Sequence, residues 1–257
     1  RYDHGDAQEF LTSKNWHNMP IGNSGYTLFD AKQDDFNFPA PLDMTNISLN
    51  YNTKWLMDYW ETGDYGETFL LNCQQALSTA EPGFSFNFFE KENETLRNAC
   101  CEVTSADDSD LCNLGSINLA RIDNIQQLKN VVELATKFLV CGTLVADLPY
   151  KKIYETRAKN RRLGLGLMGM HEWLIQRNSK YEVTDDLHKW LNIYKSVSNY
   201  SADKFCDELS ISRSVAKRAI APTGTIGIIA GTSTGIEPVF AVAYKRRYLK
   251  NERWHYQ

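Results

Sequence analysis

A carboxamide, a thiol and a carboxylate alternate in Asn98-Ala99-Cys100-Cys101-Glu102, and a further thiol follows at Cys112, within Asp110-Leu111-Cys112-Asn113-Leu114-Gly115-Ser116-Ile117-Asn118. Side chains two apart on an extended chain share a face, so an extended Asn98–Glu102 would point Asn98, Cys100 and Glu102 the same way. Such a set joins a sulfur suited to one-electron or nucleophilic work, a neighbouring base, and a polar group that can orient a substrate. The plainer reading is a surface turn with incidental thiols. Six cysteines in 257 residues are too few for a disulfide scaffold, and no paired Cys-x-x-Cys spacing suggests structural zinc. Cys141 and Cys206 lie on helical stretches and are expected to be buried as small hydrophobes, with Cys73 read the same way.

A second candidate is Ala221-Pro222-Thr223-Gly224-Thr225-Ile226-Gly227. A strand that ends in Pro, Thr, Gly and Thr exposes backbone N–H groups and hydroxyls, which suits a phosphate, although an ordinary loop is an equal reading. The Gly-Lys-Ser/Thr ending of a Walker loop is missing. Gly231 to Pro238 adds another turn-rich segment with Glu237 near its end. Gly164-Leu165-Gly166-Leu167-Met168-Gly169 has the form GxGxxG, but the approach Ala158-Lys159-Asn160-Arg161-Arg162 is charged and helix-like. A dinucleotide loop needs an apolar strand there, so the glycines are read as allowing close helix packing. His171-Glu172 lacks the second His of a zinc-protease helix and reads as ordinary helix surface.

These segments need elements to hold them. Residues 1–13 read as a strand end and a short helix, and residues 14–43, rich in Asn, Asp, Gly and Pro, as a long loop. Ile47–Tyr51 and Gly83–Phe89 alternate as strands do, the second ending near Glu90, with helices expected through Trp55–Trp60 and Gly66–Ala80 between them. The charged turn Lys91–Arg97 leads into the cysteine loop. Ser116–Ala120 is a predicted strand. Leu128, Val131, Val132, Ala135, Phe138 and Leu139 keep helical spacing, which predicts a core-facing helix to about Val145. Lys151–Arg162 reads as an amphipathic helix and Leu163–Gln176 as a more apolar one. Thr184 is a good N-cap for a long helix with Leu187, Leu191, Tyr194, Val197, Phe205 and Leu209 inward. Arg218–Ala221 and Phe240–Leu249 complete the predicted strands. Strands separated by long helices imply α/β architecture with largely parallel pairing.

Composition sets broad limits. The chain is 42% hydrophobic and 23% charged, values ordinary for a globular domain with a core. A net charge of -4 gives no electrostatic reason for nucleic-acid or anionic-membrane binding. No apolar run reaches the roughly 20 residues of a membrane span, and Arg1–Ser13 does not resemble a signal peptide. A cytoplasmic protein that is not membrane-bound is therefore expected. The start at Arg1 and the end at Gln257 both look cut from something longer.

Five motifs occur in one order: Asn98-x-Cys100-x-Glu102, Cys112–Leu119, Arg161–Gly166, Pro222-Thr223-Gly224-Thr225 and Gly235-Ile236-Glu237-Pro238. Together they resemble the catalytic subunit of ribonucleotide reductases, and Glu81–Ile122 is most similar to the adenosylcobalamin-dependent class II enzymes. The resemblance implies a ten-stranded α/β barrel with a central finger loop, incomplete in this chain, with residues 1–257 all part of that catalytic domain. It implies that Cys100 carries a thiyl radical that takes hydrogen from C3′ of the ribose. Glu102 would act as base on the 3′-hydroxyl, Asn98 would hold the ribose hydroxyls, and Cys112 would be half of the reducing dithiol. Pro222, Thr223, Gly224, Thr225, Ile226 and Gly227 would hold the substrate phosphates.

The implied cofactor is adenosylcobalamin, and no resident metal ligands are expected. The implied partners are a ribonucleoside diphosphate or triphosphate, the remainder of the catalytic subunit and a thioredoxin-like reductant, with a homo-oligomer as one option and the oligomeric state left open. The product is deoxyribonucleotide for DNA replication. Two alternatives stand beside this: a class I large subunit served by a metal-bearing radical partner, and a catalytically silent assembly piece. Cys101 has no assigned role, since alternation points it away from Cys100. The family's partner for Cys112 lies upstream of the segment resembling residues 1–11, and no cysteine precedes Cys73, so this chain alone is expected not to turn over repeatedly.

Overall fold

The computed structural model describes residues 1–88, 93–247 and 253–256, and divides into two compact units, residues 1–101 with 241–257 and residues 102–240. The predicted endings at Phe89–Glu90, Lys91 and Leu249 lie outside the described residues.

In the first unit, strand β1 (Ser48–Asn52) pairs in parallel with β2 (Gly83–Asn87), with Asn50 opposite Ser85 and Tyr51 opposite Phe86. A parallel pair needs a crossover. Helices α3 (Thr53–Thr62) and α4 (Glu67–Thr79) supply it, as the sequence predicts. Asn52 caps α3 by accepting from the Trp55 N–H, and Gly63 ends it at φ 71°. Leu49 and Tyr51 turn to a core of Leu11, Trp55, Phe69 and Phe84, and the Tyr51 hydroxyl accepts from Asn72 Nδ2 at 3.1 Å. Leu11 comes from α1 (Ala7–Thr12). No strand precedes α1. Its approach instead lends one hydrogen bond, Tyr2 N–H to Asn50 O at 2.9 Å.

The segment 14–43 is more ordered than a long loop. It holds a 3-10 turn at Trp16–Asn18 and α2 (Leu28–Asp34), started by a reciprocal cap between Thr27 and Asp30. Thr27-x-x-Asp30 has the spacing of a capping box but carries Asp where Glu or Gln is usual, so composition hid it. Short strands β3 (Leu96–Arg97) and β4 (Thr104–Ser105) flank the cysteine turn on either side of the division between units.

The second unit repeats the strand–helix–helix–strand plan. Strand β5 (Asn113–Asn118) pairs in parallel with β6 (Leu163–Met168), and α5 (Ile125–Val145) and α6 (Lys151–Asn160) lie between them in sequence. Leu165 also bridges in parallel to Arg218, where a longer strand was predicted over Arg218–Ala221. After β6 come α7 (Met170–Gln176) and α8 (Asp185–Glu208), with Thr184 capping α8 at 3.2 Å from the Leu187 N–H. Leu128, Val132 and Val140 of α5, Leu163, Leu165 and Leu167 of β6, Trp173 of α7, and Leu187 and Tyr194 of α8 form its core.

Several expectations need correction here. Leu163–Met168 is a strand, not the start of a helix. Every one of its six residues is buried, and a short run buried on both faces has no periodicity that separates strand from helix. Its glycines serve sheet packing, since a Cβ at Gly166 would sit 2.6 Å from Ala219 O. Phe138 and Cys141 point outward from α5 and are exposed, because the buried stripe runs through Leu128, Val132, Thr136, Leu139, Val140 and Thr143. Near the end, only β7 (Lys245–Arg246) forms in the described part of the last predicted strand, pairing antiparallel with β8 (His255–Tyr256). The ten-strand circuit implied by the resemblance is not completed among the described residues, where each unit contributes one parallel ladder.

Candidate active site

Asn98 and Cys100 lie at the end of the first unit's main stretch, and Glu102 and Cys112 at the start of the second. Asn98–Cys101 is not extended. The Cys101 N–H donates to Asn98 O at 3.0 Å and closes a tight turn with Cys101 at φ 64°. The alternation that would align Asn98, Cys100 and Glu102 therefore does not operate, because a turn inside the segment breaks the period of two. The turn is held to the sheet at two points: Asn46 Nδ2 donates to Ala99 O at 2.9 Å, and Ser48 Oγ lies 3.1 Å from Cys101 Sγ. This gives Cys101 its role. It is the buttress of the turn whose preceding residue, Cys100, is exposed.

Beside that turn the first unit has a polar cleft of about 380 Å³, lined by Asn46, Ser48, Asn50, Ser85, Arg97 and Asn98 among others. Arg97 donates to the main-chain oxygens of Glu94, Leu96 and Phe86 and to Asn87 Oδ1. Burial lowers its pKa from the ordinary value, partly offset by Cys101 and Glu94.

In the second unit, Glu102 Oε2 is buried with no hydrogen-bond partner among the described residues. Cys112 is half-buried at the entry to β5. Burial pushes its thiol up to about 12; Asp110 and Glu102 push the same way and Arg162 opposes them. At neutral pH it is an S–H group, the form able to give up hydrogen. Gly164, the ladder partner of Leu114, lies beside it: a Cβ there would stand 2.9 Å from Cys112 Sγ and 2.4 Å from Leu114 Cδ2. Asp110, two residues earlier, pairs with Arg162 at 2.9 Å, both side chains under a tenth exposed. Ser105 Oγ and Asn160 Nδ2 donate to the same carboxylate at 2.8 and 3.0 Å. This cluster fixes the loop that delivers Cys112.

The segment Pro222–Gly227 leads into α9 (Gly224–Ala230). Thr223 is buried at φ 54° and its Oγ1 accepts from the Gly235 N–H at 2.7 Å, while Gly224, Thr225 and Ile226 are exposed. The two turn-rich motifs are thus one packed structure. It is strapped to α7 and the turn after it: Thr232 Oγ1 donates to Glu172 at 2.6 Å, the Val239 N–H to His171 Nδ1 at 2.6 Å, and the Tyr181 hydroxyl to Ile236 O. His171 and Glu172 are therefore anchors, not plain helix surface. Nothing in their spacing reveals this, because their partners lie 60 or more residues away in sequence.

Among the described residues no cluster of three His, Cys, Asp or Glu could hold a metal, and no helix is long and apolar enough to cross a membrane. A family model for the ribonucleotide reductase barrel domain matches residues 53–204 and 212–257. The chain belongs to that ribonucleotide reductase family. A vitamin B12-dependent ribonucleoside-diphosphate reductase of Thermoplasma acidophilum is 28% identical over 98% of this chain and 36% of its own length. One from Mycobacterium tuberculosis is 29% identical over 70% of this chain and 30% of its own. The chain thus spans about a third of the length of these curated reductases. The fold also resembles a B12-dependent class II ribonucleotide reductase, with TM-score 0.59 at 19% identity over 74% of this chain and 30% of that one. It resembles the Actinobacillus ureae class Id alpha subunit with TM-score 0.61 at 18% identity, over 92% of this chain and 48% of that one.

Proposed function

We propose that this chain is the radical-bearing piece of a ribonucleotide reductase catalytic subunit, converting ribonucleoside diphosphates or triphosphates to deoxyribonucleotides in the cytoplasm. Cys100 abstracts hydrogen from C3′ as a thiyl radical, and Asn98 holds the ribose hydroxyls. Glu102 takes the proton of the 3′-hydroxyl. Cys112 supplies one of the two reducing thiols, and a thioredoxin-like partner restores the pair. The N–H groups and hydroxyls of Pro222–Gly227 receive the phosphates. The observation that carries the reading is the buried Glu102 oxygen without a donor among the described residues, since such a group is costly unless a substrate hydroxyl completes it. Residues 1–52, outside the family match, are assigned to the same catalytic domain. The pairing of Ser48–Asn52 with Gly83–Asn87 and the packing of Leu11 with Trp55 and Phe69 support that assignment.

Adenosylcobalamin is the radical source favoured by the names of the reductases above. The cleft beside the Cys100 turn is small and lined by amides and hydroxyls, not by the broad apolar surface a corrin ring needs. These residues do not fit the cofactor, and no step is derived through it. A class I large subunit is the second reading, favoured by the Actinobacillus likeness in fold. Replacing Cys100 with Ala in the assembled enzyme is expected to abolish deoxyribonucleotide formation, and unchanged product would overturn the proposal. Cobalamin cleavage on adding nucleotide, followed by absorbance, separates the two classes.

A further inference from the structure

Two cysteines stand in succession where the chain turns most sharply. Cys101 holds φ 64°, a region that a residue with a side chain seldom enters, and its N–H closes the turn on Asn98 O. Such an outlier asks for a reason. Buttressing alone does not require sulfur, since a hydroxyl side chain could meet Ser48 as well. Adjacent side chains on an extended chain point to opposite faces, so their sulfurs cannot meet. The turn removes that bar at the one place in the sequence where two cysteines are neighbours.

The surroundings of the two thiols differ. Cys100 is exposed, whereas Cys101 is half-buried with Sγ 3.1 Å from Ser48 Oγ. The Arg97 guanidinium is close enough for its charge to act on Cys101. Partly exposed thiols in electropositive surroundings are the ones that react with peroxides, and a second thiol within reach then resolves the product as a disulfide. Cys112 lacks that reactivity, because burial pushes its thiol up to about 12.

We infer that Cys100 and Cys101 form a reversible vicinal disulfide when the protein meets hydrogen peroxide, which parks the exposed thiol in a protected state. Cys101 Sγ attacks the O–O bond. One oxygen stays on sulfur as the sulfenic acid, and the other leaves as water after taking up the thiol proton. Cys100 Sγ then displaces the remaining oxygen, which also leaves as water with the Cys100 proton. Two thiols thus give up two electrons and two protons, and one peroxide becomes two waters. A dithiol reductant returns them. Cα atoms joined by one peptide bond are about 3.8 Å apart, closer than in ordinary disulfides, so such a bond is easily reduced. Sulfinic and sulfonic acids, in contrast, are not recovered by thiols. Bond formation stands apart from the ribonucleotide reading, but its consequence rests on it: a Cys100 held in a disulfide has no S–H from which a thiyl radical forms.

The test exposes the full chain to hydrogen peroxide under native conditions, blocks the remaining thiols with iodoacetamide and cuts after Glu94 and Glu102. The peptide Thr95–Glu102 carries both cysteines without Cys112. By mass spectrometry it is expected to lose two hydrogens, to take up no iodoacetamide and to regain both thiols in dithiothreitol. An unchanged peptide, a peptide that gains oxygen instead, or a bond from either cysteine to Cys112 overturns the inference. After peroxide, dimedone should label Cys101 of Cys100→Ala as its sulfenic acid, and an unlabelled Cys101 overturns its place as the attacking thiol. In the assembled enzyme, deoxyribonucleotide formation should stop with peroxide and return with dithiothreitol. Cys101→Ser should recover less than about a tenth of its own starting rate, because Cys100 then oxidises further. Equal recovery in both overturns the protective role. An assembled enzyme that makes no deoxyribonucleotide before any peroxide overturns the ribonucleotide reading and leaves the disulfide to be judged by the peptide alone.

Discussion

Cys112 shows how much of a residue's chemistry lies outside its motif. The sequence places a thiol twelve positions after Cys100, and structure adds the burial that raises its pKa to about 12 from an ordinary 9.0. The sign of the pH effect follows directly. Below about pH 9 both folded and unfolded chains hold the proton, and the contribution to stability is fully present. Between about 9 and 12 the unfolded chain releases it and the folded chain does not, so stability is lost as pH rises through that window. The same protonation slows alkylation, because the thiolate is the reactive form. At pH 8, iodoacetamide should modify exposed Cys141 at least about tenfold faster than Cys112, as read by peptide mass spectrometry. Comparable rates would contradict the buried thiol. Cys101 teaches the same lesson, since its contact with Ser48 and its φ of 64° depend on a turn that simple alternation cannot foresee.

Elements with their own start signals and a clear stripe could be read from sequence. Thr184 before Asp185 and Asp186 marks the start of α8, and Leu128, Val132 and Leu139 mark the buried side of α5. Strand β6 was opaque because both its faces are covered and its alternate residues are glycines. The buried Asp110–Arg162 pair was equally hidden, since 52 residues separate its partners. That pair, with Ser105 and Asn160, ties the loop before β5 to the approach to β6. Asp110→Ala leaves the Arg162 guanidinium buried without its carboxylate and should cost about 3 kcal/mol in urea unfolding. A loss under about 1 kcal/mol would mean that water reaches the pair and screens it.

For the molecule as a whole, α/β class and parallel pairing were legible from long helices between short strands. The division into two units was not, because no Pro-, Gly- or Ser-rich linker marks it: it falls between Cys101 and Glu102, inside the Asn98–Glu102 segment. Each unit has its own core, Leu49, Tyr51 and Trp55 in the first and Leu128, Val132, Leu165 and Trp173 in the second. Amide exchange in the full chain should be slowest at two centres, Leu49–Tyr51 and the Leu128–Val140 and Leu163–Leu167 segments, with the 98–101 turn much faster. Uniform exchange across turn and strands, followed by mass spectrometry, would argue against two separately packed cores.

Gly164 has a consequence for how this sequence can drift. Glycine is the smallest residue, so any replacement adds atoms where Cys112 Sγ and Leu114 Cδ2 already leave no space. The thiol is thus guarded by a residue with no side chain of its own. A lineage could disturb the setting of Cys112 without touching that codon, simply by letting Gly164 grow.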